Sequence, residues 1–206
     1  MKQLLGLYTI IVLLSSSCET QKNDRKLAEQ LNNEAIEQLQ KDNVENATKL
    51  LNSAIEADNT YAEPHAYLIQ IYLKEENYDQ ALAQTKIVIE KSPEEAENWV
   101  LAGILTEKKG YKDEAFSYYK ESIKWFQLRL DEQLKEVKKD TTKSDLPLQD
   151  EVNIIFSYIL LENHDQANKR IEKLEEQFPS NRMIQNLYDF DKAMYLNSLF
   201  PNMKTE

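Results

Sequence analysis

The placement of small residues along this chain constrains its fold more than any other feature. Ala47, Ala81 and Ala115 stand 34 residues apart. Asn43 and Asn77 keep the same interval, and so do Asn59 and Pro93. Three independent markers with one shared period define a unit repeated along the chain, each copy burying its apolar face against its neighbours. Within one unit, Ala62 to Pro93 reads as two short amphipathic helices joined by a turn at Glu76-Asn77. His65, Leu68, Ile69 and Tyr72 share one helical face, and Ala81, Thr85, Val88 and Ile89 share the next. The asparagine slots read as turn residues that relieve a left-handed backbone at a helix end. Thr60 with Glu63, and Ser92 with Glu95, predict side-chain caps for the first helices of two units, with Pro93 at a first helical position.

This spacing resembles the tetratricopeptide repeat, whose motif sets a small residue early in its second helix and a proline after it. Trp99-x2-Ala102-Gly103 fills the aromatic, large and small slots of the same motif. The resemblance implies an all-α fold, a right-handed α-solenoid of antiparallel helix pairs, with the first helix of each pair lining a concave groove. Residues 27–200 then form one domain, with repeats at about 28–61, 62–95, 96–129 and 148–181. No helix breaker closes the third repeat. Instead Ile123, Phe126, Leu130, Leu134 and Val137 recur at three- and four-residue steps, predicting one extended helix over 114–140, roughly 40 Å long at 1.5 Å per residue. Ala167 follows Ala115 by 52 residues, which places an 18-residue insertion at 130–147. A capping helix over 182–199, with Met183, Leu187, Phe190 and Met194 as its apolar stripe, is expected to cover the end of the stack.

The amino terminus carries a separate signal. Met1–Ser17 has an early Lys2, an apolar core from Leu4 to Leu14 and a serine run ahead of Cys18, the chain's single cysteine. That core is too short to span a bilayer, which takes about 20 residues. The segment resembles a bacterial lipoprotein signal, with Cys18 as the lipid attachment residue, although Ser15 stands where the usual motif has leucine. The resemblance implies a signal peptide over 1–17, a flexible tether over 18–26, and a protein held at the cell envelope by its lipid, on an outer membrane facing the periplasm or the cell surface.

Composition narrows the function. Thirty-six acidic against 25 basic residues give a net charge of -11, and the sequence has no basic patch, so nucleic acid is not an expected partner. Catalysis needs positioned nucleophiles, bases or metals, whereas the chain offers two histidines far apart, His65 and His164, and no glycine-rich phosphate loop. No enzyme activity, metal or cofactor is expected. The resemblance instead implies a scaffold that binds a protein or peptide in its groove, where its pattern places Asn32, Ile36, Tyr67, Gln70, Leu73, Val100 and Ile104. Tyr67, Glu97 and Leu101 occupy slots that carboxylate-clamping members give to Asn, Lys and Arg, so an apolar peptide segment suits the strip better. The insertion helix or the terminal helix could also fill this face. An alternative function is self-assembly into a homo-oligomer by coiled-coil pairing of Ile123, Phe126, Leu130, Leu134 and Val137.

Overall fold

The structure is a computed structural model that describes residues 24–139, 148–179 and 181–203. The signal segment, Cys18 and most of the expected tether lie outside the described residues. Among those described, every regular element is a helix. They are α1 (Arg25–Gln40), α2 (Val44–Ala57), α3 (Glu63–Lys74), α4 (Tyr78–Lys91), α5 (Ala96–Lys108), α6 (Lys112–Lys139), α7 (Leu148–Leu160), α8 (His164–Gln177), α9 (Arg182–Gln185) and α10 (Lys192–Leu199). From α1 to α8 each helix packs on the next in the chain, which makes the body a solenoid of helix pairs. Asp24 caps α1 by accepting from the Leu27 amide, so helix begins at Arg25, two residues short of the expected end of the tether.

The turn inside each pair obeys a rule that differs from the expected one. Asn43, Asn77 and Asn163 are N-caps with negative φ, and their side chains accept from the amides of Asn46, Gln80 and Gln166. The left-handed position falls one residue earlier, on Asp42 (φ 55), Glu76 (φ 56), Gly110 (φ 94) and Glu162 (φ 61). Asparagine is therefore selected here for its short accepting side chain, which satisfies an otherwise unpaired amide of the next helix.

The expected Ser/Thr caps do not form. Ala62 and Glu95 stand at the N-caps of α3 and α5, neither with a side-chain capping bond, and Pro93 lies before α5. Thr60 is otherwise engaged, since its amide (2.9 Å) and hydroxyl (2.7 Å) both donate to Asp58, a buried carboxylate that also receives Arg25 at 2.6 Å. Trp99 ties the other junction by donating its indole N–H to the Pro93 carbonyl at 2.8 Å.

The small residues of the period sit where helices approach. Ala47, Ala81, Ala115 and Ala102 are fully buried, as are the large side chains Leu51, Leu105, Tyr119, Ile154 and Ile171. Burying a side chain of this size is worth about 1.5–3 kcal/mol, which makes these positions the main source of cohesion between pairs. The 28 residues of α6 reach about 42 Å, and its outer half lies along α7.

The capping helix expected over 182–199 is broken. Asn181 caps α9 and Asp191 caps α10, with a turn over 186–191 between them. The Asn181 and Asp191 side chains accept from the amides of Met183 and Met194, so each starts a short helix of its own. The break changes the buried face: Ile184 and Leu196 are covered, whereas Met183 and Met194 are 48% and 69% exposed.

Candidate functional site

The residues expected to line one groove fall into different environments. Asn32 is buried, with its Oδ1 unpaired, and Ile36, Tyr67, Leu73 and Val100 are half-buried. Gln70 is exposed, and Ile104 is a core residue, 4% exposed. Tyr67 packs on the cluster of Ala35, Ala47, Leu51, Leu68 and Ile71. Ile104 belongs instead to the largest cluster, which also contains Leu196 and Phe200, with Leu73 and Val100 packed against it. The strip therefore divides, and Leu73, Val100 and Ile104 share their cluster with Leu196 and Phe200 of the chain's own C-terminal segment.

That segment runs across the pair turns in reverse order. Phe190 and Tyr195 contact Phe156 of α7 edge-on, with ring centres 5.3 and 5.2 Å apart. Lys108 of α5 donates to Asn197 at 3.1 Å. Beyond α10, Phe200 meets Tyr78 edge-on at 5.1 Å, and Asn202 donates to both carboxylate oxygens of Glu76 at 3.0 and 2.8 Å. Edge-to-face aromatic pairs add about 0.5–1.5 kcal/mol beyond the area they bury.

At the head of α10 the ammonium of Lys192 enters a socket. It lies 2.6 Å from Glu107 Oε1, 3.2 Å from Glu162 Oε1 and 2.6 Å from the carbonyl oxygen of Leu160, the last residue of α7. The Phe116 ring centre is 5.1 Å away. Two carboxylates, a helix C-terminus and an aromatic face each favour a cation, and together they hold one that is only 14% exposed. Glu107 accepts from the Tyr119 hydroxyl at 2.9 Å, and burial together with the Glu107 charge pushes that hydroxyl far above its ordinary pKa, so it remains a donor. Lys112 sits 2.7 Å from Glu162, and its hydrogen bond, with Lys192 behind it, holds the Glu162 carboxyl below the usual range. Nothing in the repeat pattern announces this socket, because it joins the ends of two first helices to a residue outside the repeats.

The face expected for helix pairing is turned inward. Phe126 and Leu130 are 1% and 5% exposed, in a cluster with Ala96 and Ile154 against which Ile123 and Leu134 pack. Val137 is half-buried. The α6 stripe thus serves as the seat of α7. His65 is buried with its Nδ1 2.6 Å from Gln84 Oε1, and His164 is the exposed first residue of α8.

The described residues thus form an all-helical solenoid of paired helices, closed by a segment folded back across its turns. A family profile for the tetratricopeptide repeat matches residues 38–104, about a third of the chain. Solved structures with a similar arrangement include MamA, at TM-score 0.48 and 16% identity, covering 75% of this chain and 82% of that one. Another is a protein of Bacteroides ovatus ATCC 8483 named as a candidate protein-binding protein, at TM-score 0.38 and 13% identity, covering 83% of this chain and 98% of its own. No curated protein matches the sequence.

Proposed function

We propose that this chain is a scaffold held at the cell envelope by a lipid on Cys18, and that it recruits a protein partner over the first two repeats. The observation that carries the binding site is the strip of Ile36, Tyr67 and Gln70 on α1 and α3. Its residues are half-buried or exposed, while the hydrogen bonds and ring pairs of the C-terminal segment lie at Glu76, Tyr78 and beyond, past the end of α3. An apolar floor with an amide beside it suits an extended or helical apolar segment of a partner. The anchor is supported by the serine run and lone cysteine behind a short apolar core.

The test is partner capture by crosslinking in native envelopes, with Tyr67→Ala/Gln70→Lys compared to the unmodified chain after equal thermal melts. Loss of a reproducible partner is the expected result, and retention of every partner overturns the assignment. A Cys18→Ser arm reads the anchor: release from the membrane fraction, with a lipid mass on the unmodified protein alone, is expected. Membrane retention of the Ser form with no lipid on the native one removes that part of the reading.

A further inference from the structure

We propose that the C-terminal ends of α5 and α7 form a receptor for a basic helical segment, a lysine followed by apolar residues three, four and eight positions on, and that α10 is its displaceable resident. In the chain itself these positions are Lys192, Tyr195, Leu196 and Phe200. The inference rests on the reading of this protein as a partner-binding scaffold and names the chemistry of a partner at a second surface.

Three observations carry it. The socket is built by the body rather than by its occupant: Tyr119, fully buried, holds Glu107, and Lys112 holds Glu162, so both carboxylates stay aimed when Lys192 leaves. A receptor organised in advance loses little freedom on binding. The fit of the resident is also incomplete. An open cleft of about 440 Å³ remains beside it, lined by Glu107, Ile159, Glu162 and His164 of the body and by Lys192, Ala193 and Leu196 of the resident.

The resident is moreover short, and its ties beyond the socket and its buried rings are exposed. It has eight residues, far below the length at which a helix is stable alone, and its polar ties from Asn197 and Asn202 are exposed. Met194 and Leu199 remain 69% and 40% exposed, so only part of its apolar surface is used. A net charge of -11 favours the approach of a basic segment in its place.

The experiment uses the full chain and a fluorescent, end-blocked synthetic peptide matching residues 192–203, which carries Lys192 and no acidic residue, read by anisotropy. A chain carrying Lys192→Ala/Leu196→Ala, which loosens the resident, is expected to bind the peptide at least tenfold more tightly than the unmodified chain. Adding Glu107→Gln/Glu162→Gln to the loosened chain, or Lys192→Ala to the peptide, is expected to remove that gain. Equal binding by loosened and unmodified chains, or no binding by a loosened chain of native helicity, overturns the proposal. Hydrogen exchange on the unmodified chain gives a check free of substitutions: amides of 195–199 should exchange before those of α5, and exchange only with global unfolding sinks the displaceable helix. Partner capture through Tyr67 and Gln70 reads a separate face, so either result can fail without the other.

Discussion

Gly103 shows how one position can oppose local preference and still be required. Glycine inside a helix costs about 1 kcal/mol relative to alanine, yet here a Cβ would stand 2.3 Å from Cε1 and 2.6 Å from Cδ1 of Tyr119. That ring is fully buried and its hydroxyl is engaged with Glu107, so it cannot swing aside without loosening the socket. Gly103→Ala should therefore destabilise the protein by about 1–3 kcal/mol despite the better helix former, as measured by urea denaturation. A stabilised variant would show that the ring yields freely. The need for a small residue here was legible in Trp99-x2-Ala102-Gly103, while the partner it admits was not. Lys192 gives the converse case, an ordinary surface type by sequence that becomes 14% exposed through contacts with α5 and α7.

At the scale of elements, α6 was the easiest helix to foresee and the easiest to misassign. Its apolar steps predict length, since a 3.6-residue period persists past the usual repeat boundary. They do not say whether the stripe faces a second chain or the next helix of the same chain, and α7 takes that face. Arg129 fixes the junction by donating to Asp150 at 2.6 and 2.9 Å and to Glu97 of α5 at 2.6 Å, which ties α5, α6 and α7 together. Asp150 is nearly covered, its side chain 4% exposed, whereas Arg129 is 36% exposed, so solvent screening reduces the value of the pair. Arg129→Ala should cost about 2 kcal/mol in chemical denaturation, with Arg129→Lys intermediate because it keeps the charge and loses the planar fork. Equal stability of all three chains would remove the clamp. The terminal helix was misread for a different reason: a continuous apolar stripe outweighed Asp191, whose side chain accepts from the Met194 amide and starts a second helix.

For the whole molecule the folded charge pattern predicts two windows of pH sensitivity. Burial holds the His65 imidazole below its ordinary value of 6.5, so the unfolded chain takes the proton first as pH falls. The stability this lends is full above pH 6.5 and is lost below it, down to the folded-state pKa. The carboxyls of Glu114 and Glu162 lie below their ordinary 4.5, chiefly through hydrogen bonds from Lys86 and Lys112, so their contribution is present above 4.5 and lost as pH falls through their folded values. Thermal melts from pH 8 to pH 3 should show both declines, and His65→Gln should remove the first while sparing the second. An unchanged profile in that variant would exclude His65 as the source.

The sequence by itself determined the repeating unit, its pair turns, the elongation of α6 and most buried positions, because each is a local pattern that any neighbour of the same kind satisfies. Only the tertiary structure decided that the α6 stripe is consumed by α7, that Ile104 is core rather than groove, and that Glu107 and Glu162 face Lys192. These outcomes depend on where the C-terminal segment lands after the chain has stacked. No periodicity within 34 residues encodes a contact between Asn202 and Glu76, 126 positions apart.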